Sequence, residues 1–246
     1  MGANKVDIVF VVDASDSMTP CFQKLRDNLR RFIQPLNQAS FDIRYGLVAY
    51  NNPSQDAYWF RFIGGEDGAL LDRLYLPQIN PDDYFTTDAN KFLQSLDAVR
   101  TQGDEDSPMA LDVAADFPFD DITESRRVIA FFSNEKLESG MLRDEPLKKF
   151  PQVLDKIVQR KIALYAYLPK CNCAEALESL PKAIVGYVDG GANCWDGVDF
   201  GKVLEQMGKS ISATSLQIVD EPPYPKAIYG QDKFVRCGVT EAIGDR

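Results

Sequence analysis

The feature that most restricts the fold is the run Val6-Asp7-Ile8-Val9-Phe10-Val11-Val12, almost wholly apolar and closed at once by Asp13. It is far short of the ~20 residues a membrane span needs. A short, near-continuous apolar run ending on a charge suits a central strand covered on both faces. Such a strand requires packed layers above and below it, and the next residues supply one. Thr19-Pro20 reads as an N-cap and first helical residue. Phe22, Leu25, Leu29, Phe32 and Ile33 then recur at helical spacing, with Lys24, Arg26, Arg30 and Arg31 on the other faces.

The strand-then-helix pattern repeats. Further strands are expected over residues 41–50, 58–63, 127–133, 162–168 and 183–188. Helices are expected over 70–76 (after a Gly64-Gly65 turn), 89–100, 108–116, 147–160, 174–180 and 200–211. This alternation implies right-handed βαβ crossovers: an α/β, doubly wound, mostly parallel central sheet with helices on both faces. At ~150 residues per domain, 246 residues allow one α/β domain plus an appendage. The domain is placed at 1–215. Glu221-Pro222-Pro223-Tyr224-Pro225 cannot be regular helix, so 216–246 reads as a C-terminal tail or extension. No internal repeat or low-complexity tract interrupts the chain.

Composition narrows the function. Histidine is absent, which removes Ser-His-Asp and Cys-His catalysis, His-ligated zinc and histidine phosphorelays. A formal net charge of −10 opposes nucleic acid or an anionic membrane as the main partner. Five cysteines form neither an even set nor a dense scaffold, which points to a reducing, cytoplasmic setting. Met1 to Lys5 carry no apolar export segment.

The residues that carry chemistry are Asp13-Ala14-Ser15-Asp16-Ser17, at the carboxyl end of the first strand. In an open parallel sheet, ligands bind in the crevice beyond the strand ends where strand order reverses. One carboxylate and two hydroxyls at alternate positions make an oxygen-only donor set, suited to a hard cation such as Mg²⁺. Asp13-x-Ser15-x-Ser17 after an apolar strand resembles the metal-ion-dependent adhesion site (MIDAS) of von Willebrand factor A (VWA) domains, and the resemblance spans residues 5–215. It implies a divalent ion at the top of the sheet, Mg²⁺ with Mn²⁺ or Ca²⁺ as alternatives, completed by two further loops. Gln102-Gly103-Asp104-Glu105-Asp106, followed by Ala110-Leu111, is similar to the family's second loop; spacing assigns Glu105 as ligand, with Asp104 or Asp106 as register alternatives. Ser133-Asn134-Glu135 stands where Thr-Asp-Gly is usual. Asn134 therefore replaces an acid: it can orient a metal-bound water but neutralises nothing, and Glu135 is the adjacent candidate for the missing charge.

The resemblance implies a protein-binding module, similar to bacterial intracellular adaptors that work beside kinases, phosphatases or AAA+ ATPases. In it the ion accepts an Asp or Glu side chain of a protein partner, and the chain is not an enzyme. Two alternatives stand beside this: a metal-assisted phosphoryl hydrolase, and a scaffold whose metal site has degenerated through Asn134. Hydrolases with a strand-end aspartate nucleophile want a second carboxylate two residues on, where this chain has Ser15; Asp16 and Glu135 are the remaining candidate bases.

Weaker signals have plainer readings. Cys171-Asn172-Cys173 with Cys194 lacks zinc-site spacing, and Cys237 lies in the tail, so unlinked thiols are expected. The acidic run from Asp104 to Glu124, free of Lys and Arg, reads as a solvated face or as a steering field for cations. Tyr58-Trp59-Phe60 and Asp83-Tyr84-Phe85 read as strand or core filler, or as aromatics rimming the crevice.

Overall fold

The computed structural model describes residues 5–38, 42–54, 57–70, 84–122, 125–139 and 144–190. The expected helices at 70–76 and 200–211, the extension 216–246, and Asp83, Gly191, Cys194 and Cys237 lie outside or almost wholly outside these residues.

The first apolar run forms β1 (Lys5–Asp13), and it is central as its composition demands. Parallel neighbours flank it: β2 (Asp42–Ser54) on one side and β6 (Ser125–Phe132) on the other. Beyond β6 lie β7 (Ala163–Pro169) and β8 (Ala183–Val188), both parallel. Beyond β2 the sheet turns antiparallel through β3 (Ala57–Phe62) and β4 (Gly65–Leu70), while the short β5 (Phe85–Thr86) also pairs with β2. The order β4-β3-β2-β1-β6-β7-β8 is therefore mixed but mostly parallel.

Side chains alternate across β1 and sort the core into two layers. Val6, Ile8, Phe10 and Val12 pack with α1 (Thr19–Gln38) and α2 (Ala89–Asp97), through Phe22, Leu25, Leu29 and Phe92. Val9 and Val11 face the other way, toward α3 (Ser107–Ala115), α4 (Asp144–Gln159) and α5 (Asn172–Glu178), through Leu111, Leu154 and Leu177. Helices thus cover both faces, and strand order reverses at β1, which puts the crevice at the carboxyl ends of β1 and β6.

The foot of β1 is closed by ions. Asp7 is buried and takes two hydrogen bonds from Arg44, at 2.7 Å each, plus the Asp120 N–H at 2.8 Å. The Arg44 guanidinium also lies 4.7 Å over the Phe85 ring.

Several expectations change. Thr19 is not an N-cap: a 3-10 turn, Asp16–Met18, precedes it and runs into α1. β4 fills the residues between the Gly64-Gly65 turn and the expected helix, a strand that the sequence did not announce: Gly-Glu-Asp-Gly-Ala-Leu has weak strand propensity, and the antiparallel ladder with β3 overrides it. Tyr84 and Phe85 are core residues packed edge-on against Phe117, not rim aromatics, whereas Trp59 is half-exposed. Three acids of the run are paired by cations distant in sequence: Lys156 bridges Asp112 and Asp116, and Arg44 holds Asp120 at 2.9 Å. Cys171 and Cys173 are buried, and burial, above all, pushes the Cys171 thiol up to about 12.

Candidate metal centre

Three loops meet at the switch point. The first follows β1, where Asp13 is fully buried. Its Oδ1 accepts the Ser15 N–H at 2.8 Å, and its Oδ2 accepts the Ser133 hydroxyl at 2.7 Å. The Ser15 and Ser17 hydroxyls share a hydrogen bond of 3.0 Å. The third loop follows β6. The Ser17 hydroxyl donates to Asn134 Oδ1, and Asn134 Nδ2 donates back to the Ser17 carbonyl, both at 3.0 Å. This reciprocal clasp joins positions 117 residues apart.

The second loop is stitched between the strand ends by backbone alone. Gln102 N–H donates to Ala14 C=O and Asp16 N–H to Gly103 C=O, each at 2.9 Å, while Asn52 and Asp104 exchange N–H to C=O hydrogen bonds of 2.8 and 3.0 Å. Gly103 sits at φ 67°, a conformation that glycine adopts without strain and that turns the loop. Glu105 follows, buried at 5% exposure. Asp106 instead caps α3 by accepting the Met109 N–H at 3.3 Å, and Asp104 accepts the Glu105 N–H at 3.1 Å. Of the three register candidates, Glu105 is therefore the buried one without a capping duty.

The electrostatics are lopsided. Burial, above all, pushes Asp13 up to about 6, with the Glu135 charge adding to the effect of burial. Burial pushes Glu105 up to about 9, reinforced by its hydrogen bond with Asp104 and the charges of Asp13, Asp104 and Glu135. No lysine or arginine among the described residues pairs with Asp13 or Glu105. Two buried acids, with the Asp13 charge acting on Glu105 and no Lys or Arg among the described residues paired to either, fit a cation. No three Asp, Glu, Cys or His side chains are placed to hold a metal among the described residues. Any ion here would rest on two carboxylates completed by hydroxyls and an amide.

A profile of the von Willebrand factor type A domain matches residues 7–167. The chain belongs to this family. The VWA match extends from the foot of β1 to near the end of β7, so it embraces all three loops. Among solved structures, a von Willebrand factor type A protein from Catenulispora acidiphila superposes with TM-score 0.54 at 11% identity, covering 84% of this chain and 43% of that one. The pilus adhesin SpaC from Lactobacillus rhamnosus GG, in its open conformation, gives TM-score 0.51 at 14% identity, covering 86% and 30%. These likenesses show the fold, and the chain spans less than half the length of either protein. No curated protein matches by sequence.

The structure thus brings Asp13, Ser15, Ser17, Asn134 and Glu105 to one end of the VWA sheet, with Glu135 half-buried beside them. Sequence reasoning missed Ser133 as a direct partner of Asp13. The register Val12↔Phe132 continues to bring Asp13 and Ser133 level, and a serine closing an apolar strand was the available signal. It also missed Tyr50, whose hydroxyl shares a 2.8 Å hydrogen bond with Ser107 Oγ and ties β2 to the start of α3.

Proposed function

We propose that this VWA domain is a divalent-cation-dependent protein-binding module, an adaptor and not an enzyme. Asp13, Ser15 and Ser17, with Glu105 and Asn134, would hold Mg²⁺, or Mn²⁺ or Ca²⁺, at the crevice. The bound ion would supply the positive centre that a partner's Asp or Glu side chain seeks. The chain's own residues do the preparation. Ser133 and the Ser15 amide fix the Asp13 carboxylate, the Ser17–Asn134 clasp holds the outer loops together, and the backbone bridges from Asn52 and Ala14 hold the Glu105 loop in place.

The observation that carries this reading is the pair of buried acids, Asp13 and Glu105, which no Lys or Arg among the described residues compensates. A cytoplasmic setting is supported by the buried, unlinked thiol of Cys171. No helix among the described residues is long and apolar enough to cross a membrane.

The test is a melting curve. Mg²⁺ or Mn²⁺ should raise the melting temperature of the wild type relative to EDTA, and Asp13→Ala should abolish the rise. A wild type indifferent to every divalent ion would refute the metal site and leave a scaffold. Phosphate-ester turnover lost on Asp13→Ala would favour the hydrolase instead.

A further inference from the structure

Near the end of β2 stand two adjacent side chains, Asn51 and Asn52, that are 0% and 1% exposed. Neither the oxygen nor the nitrogen of either carboxamide has a hydrogen-bond partner among the described residues. A buried amide left unpaired is costly, and native structures rarely keep one without a use for it. Successive residues of a strand point to opposite faces. Asn51 therefore follows Ala49 onto the face covered by α1 and α2, and Asn52 follows Tyr50 onto the other.

Two observations place Asn52 beside the second loop of the cation centre. Tyr50, two residues earlier, has its hydroxyl on Ser107 Oγ at 2.8 Å and feels the charges of Asp13 and Glu105. Asn52 and Asp104 exchange backbone hydrogen bonds as an antiparallel pair. That pairing sets their side chains on one side, with Cβ atoms about 5 Å apart. Asp104 in turn is hydrogen-bonded to Glu105, at its N–H and at its side chain.

A carboxylate that holds an ion through one oxygen has the other left to accept a hydrogen bond, and ligating carboxylates are fixed by such donors. Asp13 has its donors in the Ser15 N–H and the Ser133 hydroxyl. The Glu105 carboxyl has another acid, Asp104, as its hydrogen-bond partner, while the nearby Tyr50 and Ser107 hydroxyls are paired with each other.

We propose that Asn52 is a positioning residue for Glu105. Its Nδ2–H donates to the Glu105 carboxylate when that side chain serves the ion, as the Ser133 hydroxyl does for Asp13. The role rests on the function proposed above, because Asn52 acts on the ion only through Glu105. Its unused hydrogen bond is then gained on loading, and it adds to ion affinity.

The test is Mn²⁺ titration calorimetry, with the electron paramagnetic resonance spectrum of protein-bound Mn²⁺ at saturation as the second readout. Asn52→Ala removes the carboxamide, and Asn52→Leu fills its place with apolar atoms, so that one variant serves if the other fails to fold. Each should weaken Mn²⁺ binding by about tenfold or more and alter the spectrum of the bound ion. Asn51→Ala, the same change on the opposite face, should match wild type in both.

Wild-type affinity in the Asn52 variants, or an equal loss in Asn51→Ala, overturns the role of Asn52 and leaves the cation centre standing. So does a weaker affinity with an unaltered spectrum, which marks a merely structural residue. A wild type that takes up no Mn²⁺ overturns the cation centre itself, and this role with it.

Discussion

Replacing Asp13 with asparagine should make the cation-free domain more stable, although Asp13 accepts two hydrogen bonds. The carboxyl is fully buried and rises from 3.8 to about 6. At about 1.4 kcal/mol per pKa unit, keeping it ionised at pH 7.5 destabilises the native state by about 3 kcal/mol. Asparagine removes that charge and keeps one oxygen acceptor, but it offers an amide where Asp13 Oδ2 or Oδ1 met a donor. Losing one such bond costs about 1 kcal/mol, so the net gain is about 2 kcal/mol. For a domain of this size the gain is worth about 4–8 °C in melting temperature. The assay is urea unfolding at pH 7.5 in EDTA, repeated in saturating Mg²⁺. Asp13→Asn should win in EDTA, and the wild type alone should gain from Mg²⁺. An Asp13→Asn variant that is no more stable than wild type in EDTA would refute the argument from uncompensated burial.

The same carboxyls set a pH dependence. Their native pKa values lie above the unfolded ones, so the native state binds more protons. Stability in EDTA should therefore fall as pH rises, between 3.8 and about 6 through Asp13 and between 4.5 and about 9 through Glu105. Glu105→Gln should flatten the upper part of that profile in chemical denaturation. Asn134→Asp removes the amide donor to the Ser17 carbonyl and adds a fourth acid beside Asp13, Glu105 and Glu135. It should lower stability in EDTA by about 1–2 kcal/mol and tighten Mn²⁺ binding by calorimetry; unchanged affinity would remove Asn134 from the ligand set. At the foot of β1, Arg44→Met should destabilise by about 3–5 kcal/mol by stranding buried Asp7. The double variant with Asp7→Leu should recover most of the loss in urea titrations. A Cβ on Gly186 would lie 2.5 Å from the Tyr167 ring, which stacks on Phe132. Gly186→Ala should therefore cost about 1–3 kcal/mol and alter the near-UV circular dichroism.

Local pattern made most of this legible. β1 announced itself because a central strand must be apolar on both faces, and Asp13, Ser15 and Ser17 were conspicuous because polar oxygen donors follow that run at once. Glu105 was within reach through its spacing to the helix behind it. What escaped depends on distant pairing. β4 is a strand because β3 lies beside it, and its own glycines and acids argue otherwise. Asp112 and Asp116 read as bare charge until α4 brings Lys156 across from 40 or more residues away. Ser133 gains its role only from the register of β6 against β1.

The two ends of β1 treat an acid in opposite ways. Asp7 and Asp13 lie on the same face of one strand, six positions apart; the first is saturated by arginine and peptide donors, and the second pairs with no Lys or Arg among the described residues. Among the described residues, the acid at the bottom of β1 is therefore compensated and the acid at its top is not. On the function proposed above, an ion at the crevice would relieve the acid at the top alone, so its loading would alter recognition while Asp7 and Arg44 keep the base of β1 joined to its neighbour.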